Sequence, residues 1–218
     1  MILKRLFDRT GAIILIVLLS PVMVVCAILV KCTSKGTVFF RQERMGLHGK
    51  VFRIMKFRTM YSDPIREKTG HVTFADDPQI TKVGKFLRNY RLDELPQLFN
   101  VILGQMSLVG PRPLPPVYLH AYSDFDKRRL EAVPGITGWQ QIHGASGNSW
   151  DERIQLDVWY VDNRSFLLDI QILCQTVWVV IRPTNVYDAE GQQMSGIPTA
   201  LRESMQKQKQ DQETKAIE

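Results

Sequence analysis

The chain has 218 residues, of which 44% are hydrophobic, enough for one domain with a core of its own and an appended membrane element. Lys plus Arg number 28 against 22 for Asp plus Glu, a net charge of +6 that fits an anionic partner: nucleic acid, anionic lipid or a phosphate-rich metabolite. Three cysteines cannot pair completely and four scattered histidines offer no ligand spacing, which excludes a disulfide framework and a structural zinc and fits a reducing cytosolic face.

In chain order, the first element is the run GAIILIVLLSPVMVVCAILV from Gly11 to Val30. It carries no charge, and as a straight helix it would span roughly 30 Å, about one bilayer core. A cleaved signal peptide would have a shorter apolar region and a small-x-small site after it, and none follows. Ser20-Pro21 sits in the middle of the run. Proline removes a backbone donor and clashes with the preceding turn, so a kink or break is expected there, with the Ser20 hydroxyl a local partner for a freed carbonyl. Lys4, Arg5 and Arg9 precede the run and Lys31 and Lys35 follow it, which favours both ends on the cytoplasmic side. On these residues alone a Pro-kinked spanning helix and a helix that dips into one leaflet and returns stand level.

Phe39 to Met60 reads as a hairpin with a turn over Gly46 to Gly49. Arg41, Arg44, Lys50, Arg53, Lys56 and Arg58 make it very basic, either a solvated face or a phosphate-facing surface. Residues 61–78 are polar, with Asp63-Pro64 and Asp77-Pro78 as turn signals, and are expected to form a mobile loop. A short helix is predicted over Lys82 to Asn89. A second follows in RLDELPQLFNVILG, with Asp93 near its N-cap, Glu94 and Pro96 in its first turn and Gly104 as its stop. Residues 107–116 form a proline-stiffened loop whose one charge is Arg112, with the Pro134–Gly138 turn as its neighbour in function. Further helices are expected near Trp150 to Tyr160 and over Phe166 to Ile181, the latter too short to span and therefore buried or interfacial. The expected division is a membrane helix–break–helix over 1–35, a catalytic domain over 36–200 and a disordered polar tail over 201–218.

Asp93-Glu94 has a plain reading, since acids before a helix cap it and complement its dipole. The surroundings favour more. Arg88 and Arg91 lie just upstream, Arg112 sits between two prolines, and Lys56 and Arg58 come from the hairpin. Such cations can keep a carboxylate ionised and hold a diphosphate. One carboxylate can then attack phosphorus or activate a hydroxyl while the other takes Mg²⁺.

The same residues carry a resemblance. KRLFDR, the Ser20-Pro21 break, KFRTM (56–60), RNYRLDELPQLFNVILGQMSLVGPRP (88–113), PGITGWQQ (134–141) and the Asp157…Tyr160 segment resemble the bacterial sugar transferases, monotopic phosphoglycosyl transferases that begin glycan assembly on polyprenyl phosphate. The resemblance runs from about residue 3 to about residue 185. It implies an α-rich α/β fold specific to the family, with a re-entrant membrane helix broken at Ser20-Pro21 and interfacial amphipathic helices that set the domain on the cytoplasmic face of the bacterial inner membrane. It implies that Asp93 attacks the β-phosphorus of a UDP-sugar, expels UMP and forms an aspartyl–phosphosugar, which polyprenyl phosphate (undecaprenyl phosphate) then takes over. Glu94 would support Mg²⁺ together with Asp93; Lys56, Arg58, Arg88 and Arg91 would face phosphates; Arg112 would serve the nucleotide; and Asp157 matches a further acidic position. Arg5 and Arg9 would meet the lipid phosphate. NSWDERIQLDVWYVDN is closest to members that use UDP-linked acetamido sugars such as diacetylbacillosamine. The competing class is a membrane-anchored scaffold whose basic hairpin holds anionic lipid or nucleic acid. Anion binding alone does not need the acid pair, and neither a recognition helix nor an aromatic strand for nucleic acid is present. The sugar, the pathway and the oligomeric state are not written in the sequence.

Overall fold

In the computed structural model, which describes residues 2–61, 77–143 and 148–181, the chain begins with one long helix, α1, Ile2–Thr33. Its inward side is a stripe at helical spacing. Asp8, Ala12, Met23, Cys26 and Val30 are buried, and Phe7, Leu15, Ile16 and Ala27 pack beside them. Ile13, Ile14, Val17, Leu18, Val24 and Val25 stay exposed on the other side. The helix therefore lies against the domain along its whole length, with an apolar outer face. The expected interruption at Ser20-Pro21 is absent, because α1 is helical through both residues. Pro21 cannot donate to Val17 O, and the Ser20 hydroxyl donates to that carbonyl instead, at 2.8 Å. The local partner anticipated for the freed carbonyl is thus the one used.

Both ends of α1 are fastened to the domain. Near its start, Lys4 Nζ reaches Asp169 Oδ2 at 2.6 Å and Val109 O at 3.2 Å, and Asp8 accepts from Ser107 Oγ at 2.7 Å. Past its end, Arg58 Nη2 donates to Ser34 O at 2.7 Å.

The hairpin forms as the turn over Gly46 to Gly49 predicts: β1 (Phe39–Met45) pairs antiparallel with β2 (Val51–Phe57), Phe39 opposite Phe57 and Met45 opposite Val51. His48 and Gly49 turn it with positive φ, 55° and 74°. Most of the polar stretch expected as a mobile loop, 62–76, lies outside the described residues, as does the tail over 201–218. At the loop's end the Asp77 turn does form, with Gln79 N donating to Asp77 Oδ1 at 3.0 Å.

Helix α2 (Lys82–Asn89) has the predicted bounds, and Thr81 caps it by accepting from Gly84 N. Gly84 has no room for a side chain, since a Cβ there would stand 1.9 Å from Thr59 O. The acid-bearing helix differs from expectation. Asp93 is not its N-cap: Asp93 and Glu94 lie in a separate 3₁₀ turn, Leu92–Glu94, and α3 (Gln97–Ile102) starts after Pro96. Pro96 has no N–H to give Leu92 O, so the α-helical ladder cannot run back through the acids. Leu95 N closes the tighter turn on Leu92 O at 3.3 Å. Gly104 ends the segment with φ 74°, as expected of a helix stop.

The proline-rich loop opens with a strand, β3 (Ser107–Val109), parallel to β4 (Gly135–Thr137). The PGITG segment is therefore a strand rather than a turn, although its association with the loop holds. Beyond a 3₁₀ turn at Pro116–Ala121, α4 (Asp124–Lys127), a second 3₁₀ turn at Arg128–Glu131 and α5 (Trp139–Ile142), two long helices close the described chain. α6 (Trp150–Asn163) begins on a capping box of Ser149 and Glu152. α7 (Phe166–Ile181) buries Ile172 and Asp169 while Leu167, Val177 and Trp178 are exposed. One core gathers Ala12, Ile54, Leu98, Leu108, Tyr160 and Ile172, and a second gathers Met23, Val30, Phe57 and Leu87. α1 contributes to both, so the membrane-type helix and the small sheets share their packing.

Candidate active site

Arg91 begins the acid turn in the left-handed region, φ 55° and ψ 19°, an uncommon conformation for a residue with a Cβ. This sharp entry leaves the Asp93 and Glu94 carboxylates on a tight turn between α2 and α3. Asp93 is 8% exposed. Glu94 Oε1 receives Lys56 Nζ at 2.7 Å and Arg112 Nη2 at 3.0 Å. Asp93 has no ion-pair partner among the described residues.

Three elements deliver these cations. Lys56 comes from β2, and Asn100 of α3 sets that strand. Asn100 is fully buried, accepts from Met55 N at 3.0 Å and donates to Arg53 O at 2.8 Å and to Gln105 Oε1 at 2.7 Å. The strand on which Lys56 rides is thereby stitched to the helix that follows Glu94. Arg88, at the end of α2, is buried and held by its Nε on Thr59 Oγ1 at 2.8 Å. Arg112 arrives on the loop after β3.

Five cations, Arg44, Lys56, Arg88, Arg91 and Arg112, act electrostatically on the two acids. Burial opposes the charge of Glu94, but Arg112 and Lys56, joined by Arg91, outweigh it and hold that carboxyl well below the usual range. Asp93 goes the other way. Burial, with the charge of Glu94 beside it, pushes it up to about 6 against the pull of Lys56, Arg88 and Arg112. Arg44, on β1, is lowered to about 10 by burial and by neighbouring Arg112. Arg44 Nε, Arg88 Nη1 and Arg91 Nη2 are buried without a hydrogen-bond partner. Unpaired buried N–H groups of these guanidinium groups, set around two acids, suit a polyanionic ligand, and phosphate oxygens would satisfy them. Two adjacent carboxylates plus substrate phosphates also match the donors Mg²⁺ takes, although no cluster of three His, Cys, Asp or Glu side chains occurs among the described residues.

Lys56, Arg88, Arg91 and Arg112 thus gather around Asp93 and Glu94. Two other residues named from the sequence have partners within the protein. Arg58 is buried, with its guanidinium on Ser34 O beyond the end of α1. Asp157, on α6, is 2% exposed and forms an ion pair with Arg129. Arg129 Nη2 donates to Arg112 O at 2.8 Å and its Nη1 to Tyr122 Oη at 2.8 Å. Nothing in the sequence singled out Arg129, Tyr122 or Asn100. Arg44 was visible only as one charge among many in the basic hairpin.

The sequence model described as bacterial sugar transferase matches residues 1–183 of this chain. The chain is 48% identical over 195 residues to the uncharacterized sugar transferase EpsL of Bacillus subtilis (strain 168), a match covering 87% of this chain and 95% of that protein. It is 42% identical over 192 residues to the UDP-glucose:undecaprenyl-phosphate glucose-1-phosphate transferase of Klebsiella pneumoniae, covering 82% of this chain and 40% of that one. It is 39% identical over 188 residues to the undecaprenyl-phosphate glucose phosphotransferase of Komagataeibacter xylinus, covering 81% of this chain and 35% of that one. The chain thus spans nearly all of the first relative and less than half the length of the other two.

Proposed function

This chain belongs to the bacterial sugar transferase family, and from that premise we propose that it moves a sugar 1-phosphate from a UDP-sugar to polyprenyl phosphate, with Asp93 as nucleophile. The observation that carries this reading is the unequal setting of two adjacent carboxylates. Glu94 is pinned by Lys56 and Arg112, whereas Asp93 lies buried beside it with its carboxylate outside any ion pair among the described residues. A carboxylate that attacks phosphorus must be ionised and keep one oxygen free; one that orients cations must be held.

In the first step an Asp93 oxygen bonds to the β-phosphorus and the bond to the bridging oxygen breaks, so that UMP leaves with that oxygen and its charge. An acyl phosphate joins Asp93 to the sugar. In the second step an oxygen of the lipid phosphate attacks the same phosphorus, the bond to Asp93 breaks, and polyprenyl-diphospho-sugar departs. Neither step transfers a proton, so no general base is required. Arg88, Arg91 and Arg44 would hold the diphosphate through their unpaired N–H groups, at the place where the lipid phosphate later binds. Asp93 and Glu94 would hold Mg²⁺, which when bound neutralises charge on the phosphates.

The fastening of both ends of α1 to one domain speaks against a spanning helix; a re-entrant course, with the domain on the cytoplasmic face, would need α1 to bend at Pro21 rather than break there. The relatives are named for glucose, galactose and N-acetylgalactosamine donors. A donor screen should include these three and an acetamido sugar such as UDP-diacetylbacillosamine. Asp93→Asn is expected to abolish UMP release with polyprenyl phosphate and Mg²⁺ present, and mass spectrometry of the wild type after UDP-sugar alone should find a phosphosugar on Asp93. Full activity in the variant, or turnover without any adduct, would remove Asp93 from this role.

A further inference from the structure

We propose that Arg129, Asp157 and Tyr122 are positioning residues that act through Arg112, gripping the backbone carbonyl of that residue so that its guanidinium stays on Glu94. The inference rests on the reading of the acid turn as the reacting centre. Arg112 lies between Pro111 and Pro113, neither of which has an N–H. A chain in that condition cannot be held by a regular ladder, and each remaining polar group needs its own partner. Upstream the sheet does this: Gly110 N donates to Thr137 O at 2.9 Å and Gly135 N to Pro111 O at 3.0 Å. Downstream Met45 N donates to Leu114 O at 2.9 Å. Between those points only side chains hold the backbone of Arg112 among the described residues. The Arg129 guanidinium donates to its carbonyl at 2.8 Å. Asp157 pairs with that guanidinium and holds it in place, and Arg129 also donates to Tyr122 Oη on its far side at 2.8 Å.

Arg129, Asp157 and Tyr122 are 4%, 2% and 6% exposed. A buried ion pair is a weak source of stability, because an apolar substitute of similar volume often does as well. Its geometry here accounts for what it does better than stability would. α6 also presents Tyr160 one turn after Asp157; its hydroxyl donates to Asp169 Oδ1 at 2.6 Å and lies 3.2 Å from Val109 O. One helix thus steadies the strand before the loop and the loop itself. At the end of this chain of contacts is the Arg112 guanidinium, 3.0 Å from Glu94.

A double-mutant cycle in single-turnover UMP release tests the proposal. Asp157→Asn is expected to slow release about tenfold in the wild-type background and less than about twofold when Arg112 is already Ala, since coupled residues are non-additive. Multiplying losses, or a silent Arg112→Ala, would overturn it. Tyr122→Phe, which keeps the ion pair, repeats the cycle with a smaller loss if Asp157→Asn does not fold. Amide hydrogen exchange supplies a readout independent of activity. The peptide bearing Arg112 should lose protection in Asp157→Asn and in Tyr122→Phe, while the β1–β2 ladder keeps its own. Unchanged protection at Arg112, or loss throughout the molecule, would overturn the clamp. Failure of the wild type to release UMP from any UDP-sugar would instead overturn the proposed reaction, and the exchange experiment would still decide whether the clamp exists.

Discussion

Two neighbouring carboxylates respond differently to one set of cations because only one of them touches them. Glu94 is bonded to Lys56 and Arg112 and stays ionised, whereas Asp93 feels the same charges across a distance and also pays for its burial, reaching about 6. The attacking form is the carboxylate. Below about pH 6 protonation should therefore slow UMP release by about tenfold per pH unit, while above it the rate should level off. Lys56 favours the charged form of Asp93, so Lys56→Met should raise that carboxyl further and move the acid limb to higher pH. Single-turnover rates of both proteins across about pH 4.5–8.5 check this; an unmoved limb would show that Asp93 does not set it. Glu94→Gln removes a neighbouring charge that raises Asp93, so it should lower the rate at every pH through loss of the held cations and also move the acid limb to lower pH.

Among the elements, the seam between β2 and α3 carries most of the positioning. Asn100 fills it with three hydrogen bonds and no exposed surface. Asn100→Ala leaves Met55 N–H and Arg53 C=O buried and unpaired, which should cost about 2–4 kcal/mol of stability. Denaturant unfolding measures that cost, and a change within about 0.5 kcal/mol would show that the seam tolerates water or relaxes. Gly84 marks a second seam. A methyl group at 1.9 Å from Thr59 O forces α2 away from the residue that holds Arg88 Nε. Gly84→Ala should therefore reduce UMP release by at least about tenfold, a loss in the range of a misplaced binding group. Normal rates would show that Arg88 does not need that seat. The element bounds for α2 and α7 and the hairpin were legible because periodicity and turn residues act locally. The split of the acid segment into a 3₁₀ turn and α3 was signalled by Pro96, yet the left-handed start at Arg91 had no sequence signal, since arginine rarely takes that conformation.

For the whole molecule, the lie of α1 decides the topology. A helix of 32 residues is about 48 Å long, more than a bilayer core. Its start is tied to Asp169 and its far end to Arg58, both of the same domain. A spanning arrangement would have to break one of these ties. A cysteine placed before Met1 should therefore be labelled from the cytoplasmic side only, in a background where exposed Cys32 and Cys174 are replaced by serine. Labelling from the outer side in intact cells would restore the spanning helix. Lys4→Met should loosen the start of α1, and a protease cutting near the N-terminus should then act faster than on the wild type, because Lys4 holds Asp169 at 2.6 Å and Val109 O at 3.2 Å.

What the sequence determined by itself was local or compositional: the apolar run, the proline that denies Val17 O its donor, the hairpin, the two long helices near the end and the conjunction of acids with cations. These follow from side-chain type and spacing over a few residues, where neighbours along the chain are neighbours in space. The tertiary structure decided which cations reach which acid. It put Lys56, 38 positions before Glu94, and Arg112, 18 positions after it, on one oxygen, while it sent Arg58 to the end of α1 and set Asp157 against Arg129. A charged side chain looks the same in the sequence whether it faces a ligand, a helix end or a buried partner. Only the packing that excludes water from it selects among them, and that packing joins segments far apart in the chain.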